Sequence, residues 1–147
     1  MNSLFELSKE VQEAIDLKKP IVALESTLIS HGLPYPENIN VAKESIIAVQ
    51  DSGSVAATIG IINGKVKIGL SKEDIKILAK DSNVQKVSNH NFSLSVYRKE
   101  NAGTTVSSTI AVASKFNIKF FATGGIGGVH LNAKETYDVS SDLYSLS

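Results

Sequence analysis

Glu25-Ser26-Thr27 follows directly on the apolar run Ile21-Val22-Ala23-Leu24. A carboxylate at the end of a buried strand loses water, which raises its pKa and suits it to general acid work near neutrality. The alternative is a solvated strand-end glutamate, because carboxylates are seldom fully buried. A second apolar run, 118–122, leads into Thr123-Gly124-Gly125-Ile126-Gly127-Gly128. Glycines there either let backbone N–H groups approach an anion or a sugar, or they shape a turn. The dinucleotide fingerprint fails, since His130 stands at the third glycine position counted from Gly125, and no Gly-Lys-Ser/Thr follows for a P-loop. That disfavours a nucleotide-binding signalling module. Asp138 and Asp142, four apart, read as carboxylates on one helical face able to hold a hard divalent cation, or one of them as a helix cap. Lys86, within a strand-like stretch, points at a phosphate or at water. His31, His90 and His130 lack metal-ligand spacing. His31 and His130 both follow glycine-containing loops and are expected on one rim, whereas His90, between Asn89 and Asn91, reads as a surface turn. Ser26, Ser107 and Ser108 lack a G-x-S-x-G elbow, so a serine hydrolase has little support.

The elements that must position these groups alternate between short strands and amphipathic helices. Ser8 caps a helix carrying Val11, Ala14 and Ile15, which Pro20 stops. After the strand 21–24 an irregular loop spans Ser30 to Asn38, with Pro36 where a helix could start; Ile39, Ala42, Ile46 and Val49 line one face of that helix before Gly53 ends it. Residues 55–62 form a strand, and Asn63-Gly64 turns it into a hairpin through Lys65-Val66-Lys67-Ile68. Ser71 and Asp74 make a capping box for a helix with Ile75, Leu78 and Ala79. Strands are expected at 84–88, 92–98 and, buried, at 118–122; a helix is expected over 104–116 and another opening at Ser140. The pattern predicts a layered α/β/α fold with a largely buried mixed sheet in a single domain spanning 1–147.

Composition narrows the function further. The 147 residues carry 15 basic and 15 acidic side chains, and a net charge of zero argues against a nucleic-acid binder. With 42% hydrophobic and 20% charged residues, the chain can build a packed core. Zero cysteines exclude disulfides, zinc-thiolate sites and thiol nucleophiles. The opening Met1-Asn2-Ser3-Leu4-Phe5-Glu6 has no basic, apolar leader pattern, and no run reaches the ~18 apolar residues of a membrane span. A cytoplasmic protein without membrane contact is the expectation.

In order along the chain, Ala23-Leu24-Glu25-Ser26-Thr27-Leu28-Ile29-Ser30-His31-Gly32, Gly69-Leu70-Ser71-Lys72-Glu73, Thr104-Thr105-Val106, the segment from Phe121 through the glycine loop to His130, and Asp138-Val139-Ser140-Ser141-Asp142-Leu143 resemble the pseudouridine-5'-phosphate glycosidase, or indigoidine synthase A-like, family. The resemblance covers nearly all of the chain from Pro20 onward. It implies reversible cleavage of pseudouridine 5'-phosphate to uracil and ribose 5-phosphate with a manganese ion. By that resemblance Glu25 is the acid/base residue, Lys86 binds substrate, and Val106 is a substrate-contacting backbone position. Asp138 holds the metal, Ser140, Ser141 and Asp142 form the substrate loop, and His130 lies near the site.

The implied chemistry suits these residue types. A C-glycosidic bond joins carbon to carbon, so protonating a leaving heteroatom cannot release the base. In the family the ribose ring opens and C1' forms an imine with a lysine, an electron sink, while glutamate moves protons and charge-assisted bonds anchor the 5'-phosphate. Two departures stand out. Asn89-His90-Asn91 replace the basic residues and aspartate that usually follow Lys86-Val87-Ser88, which lowers the positive charge offered to an anion. The family's imine-forming lysine lies downstream of the Asp142 region, and family members are about twice this long, so the chain is expected to be an N-terminal half. It is then either part of an enzyme, a homotrimer in the family, or a non-catalytic remnant that binds sugar phosphate or metal or pairs with a separately encoded C-terminal half.

Overall fold

The computed structural model describes residues 4–147; the first three residues of the opening stretch, read above as lacking a leader, lie outside it. Among the described residues seven strands form one mixed sheet: β1 (Phe5–Leu7), β2 (Ile21–Leu24), β3 (Val55–Ile62), β4 (Lys65–Ile68), β5 (Gln85–Val87), β6 (Ala102–Thr104) and β7 (Phe120–Ala122). The main path runs β1-β4-β3-β2-β7, and β5 joins through β6, which pairs with β3. Among the described residues seven α-helices flank it, α1 (Lys9–Asp16), α2 (Glu37–Asp51), α3 (Lys72–Lys80), α4 (Phe92–Tyr97), α5 (Val106–Lys115), α6 (Ala133–Thr136) and α7 (Ser141–Leu146), and a π-helical turn spans Leu28–Gly32.

The long strand β3 shows why the layers form. Ala57, Ile59 and Ile61 point to one face, where they pack with Val11 and Ala14 of α1 and Val112 and Ala113 of α5. Ile62, on the opposite parity, packs with Ile39 and Ala42 of α2 and Ile75 and Leu78 of α3. Period-two alternation therefore feeds two helical layers, one on each face. The caps follow the sequence reading. Ser8 Oγ accepts from Val11 N at 3.2 Å, and Ser71 and Asp74 exchange side chain-to-backbone bonds at 2.9 and 3.1 Å. Pro36 sits at the N-cap of α2. At the β3–β4 hairpin Asn63 and Gly64 both have positive φ, +49° and +74°, as a type I′ turn requires.

Three expectations are corrected. Residues 92–98 form α4 and not a strand: Phe92 and Val96, one helical turn apart, pack on the core while Tyr97 stays 84% exposed, so the apparent alternation is one face of a short helix. The apolar run 118–122 ends in β7, an outer strand on which Phe120 is 65% exposed, because β2 covers only one of its edges. Asp138 and Asp142 share no helical face: α7 begins at Ser141, Ser140 Oγ caps it by accepting from Asp142 N, and Asp138 lies outside, next to the bridge between Val129 and Val139.

Candidate active site

The sheet forks, and the fork makes the site. One edge of β3 pairs in parallel with β2 over residues 55–58 and then antiparallel with β6 at Gly60 and Ile61. β2 and β6 therefore run toward each other, and Ser26 N donates to Thr104 O where they meet. β7 lies parallel to β2 and β5 parallel to β6, so the carboxyl ends of four strands converge. Such a switch point is where ligands collect in α/β sheets. At or just beyond those ends lie Glu25, Lys86 and Val87 within β5 with Ser88 after it, Thr105-Val106, and Thr123 with the glycine loop.

A cleft of about 570 Å³ opens there. Its walls include all eight residues singled out in the sequence: Glu25, Lys86, Val106, His130 and Asp138, with Ser140, Ser141 and Asp142 opposite. Burial raises the Glu25 pKa above its ordinary value; the Thr123 hydroxyl counteracts this, Asp142 adds to it, and Lys86 opposes it. Thr123 Oγ1 lies 2.5 Å from Glu25 Oε1. His31 lies within reach of the Lys86 charge, and burial followed by that charge lowers its pKa. His130 Nδ1 stands 4.0 Å from Asp138 Oδ2.

Asp142 is buried, 7% exposed, and both carboxylate oxygens are occupied. Oδ1 accepts from Ser107 N, in the first turn of α5, at 2.9 Å, and Oδ2 accepts from Gly127 N at 2.8 Å. One carboxylate thus ties the glycine loop to the start of α5. Gly127 must be glycine for this approach, since a Cβ there would lie 2.2 Å from Ser140 Oγ and 3.1 Å from Asp142 Oδ2. Ser107 Oγ and Ser141 Oγ meet across the same junction at 3.1 Å.

The structure adds groups that sequence reasoning passed over. His90 sits in its turn as expected, yet lines the cleft with Nδ1 2.6 Å from Ser88 Oγ. Thr27 also lines it, and its buried Oγ1 has no hydrogen-bond partner among the described residues. Thr123 and Thr105 were hidden because single threonines have no spacing signature; only the junction of strand ends marks them. Among the described residues, no three His, Cys, Asp or Glu side chains gather into a metal cluster. No described helix is long and apolar enough to cross a membrane.

The chain is similar to known proteins over nearly its whole length. A family model described as indigoidine synthase A like protein matches residues 10–147. Pseudouridine-5'-phosphate glycosidase from Petrotoga mobilis is 49% identical over 142 residues, 97% of this chain and 46% of that protein. The enzyme of the same name from Escherichia coli is 50% identical over 145 residues, 98% of this chain and 46% of its own. Among solved structures, the prealnumycin C-glycosynthase AlnA in complex with ribulose 5-phosphate superposes with a TM-score of 0.87 and 35% identity, over 99% of this chain and 47% of that one. An indigoidine synthase A-like protein from Thermotoga maritima gives a TM-score of 0.83 and 33% identity, over 96% and 45%. The chain spans about half the length of the curated relatives it matches. With the match running from residue 10 to residue 147, the chain belongs to the indigoidine synthase A-like family.

Proposed function

We propose that this chain carries the proton-transfer and phosphate-binding part of a pseudouridine-5'-phosphate glycosidase, which cleaves pseudouridine 5'-phosphate reversibly to uracil and ribose 5-phosphate. The observation that carries the reading is the convergence of Glu25, Lys86, Val106, His130, Asp138 and the 140–142 loop on one cleft, in a chain about half identical to enzymes of that name. The Lys86 ammonium on the cleft wall supplies positive charge for a 5'-phosphate. Glu25, whose pKa burial raises and whose Oε1 meets the Thr123 hydroxyl, is the group that holds and delivers a proton. The unpartnered Thr27 hydroxyl is available to a sugar hydroxyl. Asp142 has both oxygens engaged by backbone N–H groups, so its role toward substrate is to hold the glycine loop in place.

The donors fit manganese in one respect. Asp138 presents a largely exposed carboxylate to the cleft, enough to hold a hard cation through one oxygen with water completing its shell. Bound there, the ion would add positive charge beside a phosphate or sugar oxygen. Lys86 is the one lysine on the cleft wall among the described residues, and this reading gives it the anchoring role, so it assigns the family's imine-forming lysine to the part of the relatives beyond the matched region. The setting is read as cytoplasmic, and the homotrimer and a C-terminal half supplied separately remain part of this proposal.

A chimera tests the reading: residues 1–147 joined to the part of the Petrotoga mobilis relative beyond its matched region. It should release uracil from pseudouridine 5'-phosphate with Mn²⁺ present. Lys86→Met should raise KM roughly 10–150-fold, the worth of one charge-assisted bond. A folded chimera that binds ribose 5-phosphate yet releases no uracil would refute the proposal.

A further inference from the structure

Thr123 carries one hydroxyl proton and stands between two acceptors. Its Oγ1 lies 2.5 Å from Glu25 Oε1 and 2.9 Å from the Gly125 carbonyl oxygen, and it accepts from Gly125 N at 3.3 Å. A hydroxyl offers one donor and two acceptor sites, so it cannot donate to both oxygens at once. An ionised carboxylate only accepts; the Thr123 proton then goes to Glu25, and the Gly125 carbonyl is left to solvent. A protonated Glu25 donates its own O–H to Thr123 Oγ1. The Thr123 proton can then turn to the Gly125 carbonyl, and all three positions on the hydroxyl are filled.

We propose that Thr123 is a positioning residue that couples the proton on Glu25 to the glycine loop, closing the turn over 123–125 when Glu25 is protonated and loosening it when Glu25 is ionised. Nothing covalent changes on Thr123. One proton arrives at the Glu25 carboxyl, and the hydroxyl keeps its own while changing partner. The tethers of the loop's second half, Gly127 N to Asp142 Oδ2 and Ser140 N to Gly128 O, do not involve Glu25, so only the first half of the loop responds. Gly125 and Gly127 both line the cleft, so the turn that closes is part of its wall. Lys86 within β5 and Asp142 of α7 act on Glu25, His31 faces Lys86, and His90, His130 and Asp138 line the same cleft. The functional meaning rests on the reading that Glu25 exchanges a proton with substrate: the loop is then closed while Glu25 holds the proton it is to deliver.

The test needs no turnover. In isotopically labelled chain, NMR would follow the Glu25 side-chain carboxyl carbon and the Gly125 amide across pH. The two should titrate with one midpoint, and Glu25→Gln should remove the Gly125 response. Thr123→Val should also remove it while Glu25 itself still titrates, with its midpoint moved upward because the hydroxyl no longer holds it down. Thr123→Ser should restore the coupling, and His31→Gln should leave it intact. A Gly125 amide that ignores Glu25, or follows it equally well in Thr123→Val, overturns the proposal. That outcome would leave the proton-transfer role standing, because that role is read separately from uracil release by a Glu25→Gln chimera.

Discussion

Replacing Asp142 by alanine removes the one side chain that joins the glycine loop, α7 and the start of α5. Two charge-assisted bonds are lost, to Ser107 N at 2.9 Å and Gly127 N at 2.8 Å. Each such bond is worth about 1.5–3 kcal/mol. Ser107 is completely buried, so its N–H is left without an acceptor and bears the full penalty, whereas Gly127 is half-buried and recovers part from water. A carboxylate at the first turn of a helix adds about 0.3–1 kcal/mol through the helix dipole. The sum is about 3 kcal/mol. Native-state hydrogen exchange reads it where it acts: the Ser107 and Gly127 amides should exchange roughly a hundredfold faster, while Ile59 in the centre of the sheet changes far less. Asp142→Asn keeps one acceptor oxygen but turns an NH₂ group toward the other N–H, and should cost about 2 kcal/mol. Exchange at both amides within threefold of wild type in Asp142→Ala would refute the idea that this carboxylate anchors the loop.

Glu25→Gln should cost roughly 10²–10⁴ in turnover of the chimera, measured by uracil release; near wild-type turnover rules out proton transfer by Glu25. The same change should raise the melting temperature at neutral pH. The folded-state pKa of Glu25 is raised, so the folded chain holds a proton that the unfolded chain gives up, and stability falls as pH rises from about 4.5 through the folded pKa. Below that window the two proteins should melt alike, and equal melting at pH 7 would contradict the burial argument. Asp138→Asn should weaken Mn²⁺ binding at least roughly tenfold in a calorimetric titration, and unchanged affinity removes Asp138 as the metal residue. The 147-residue chain alone should release no uracil and give no borohydride-trapped adduct with substrate and Mn²⁺; a ribose phosphate mass on any of its lysines reverses that.

Much of the framework was legible because local chemistry determines it. Ser8, the Ser71–Asp74 pair and Asn63-Gly64 act through bonds or dihedrals within a few residues, and each does in the fold what its type predicts. All eight candidate site residues lie on the cleft, and the strands at 21–24, 84–88 and 118–122 that lead to it were legible in the sequence, whereas β6, Ala102-Gly103-Thr104, has no apolar run and was not expected. What escaped was decided at long range. Phe92, Leu94 and Val96 alternate like a strand, yet the contact made by Phe92 and Val96 with the core selects a helix. Phe120 and Phe121 looked buried, but an apolar run reports affinity for a core and not which of its edges a neighbour covers. Asp142 looked like a ligand because its spacing from Asp138 counts residues, whereas its partners are backbone amides 35 and 15 positions away.

The fork also accounts for polar residues that carry no chemistry of their own. Ile59 falls between the register of β2, which ends at Thr58, and that of β6, which begins at Gly60. A backbone carbonyl buried at such a gap needs an acceptor's partner from elsewhere. Ser26 Oγ supplies one at 2.6 Å and Thr104 Oγ1 another at 2.7 Å, and Ser26 Oγ in turn accepts from Thr104 N at 2.9 Å. Gly103 lets the strands close to this distance, since a Cβ there would lie 2.9 Å from Ser26 O. Valine or leucine at 26 or 104 would satisfy the hydrophobic pattern and leave these groups unpaired. Ser26 therefore stands beside Glu25 for a different reason from Glu25 itself: the hydroxyl holds two opposed strand ends together, and that closure fixes the backbone from which Glu25 reaches the cleft.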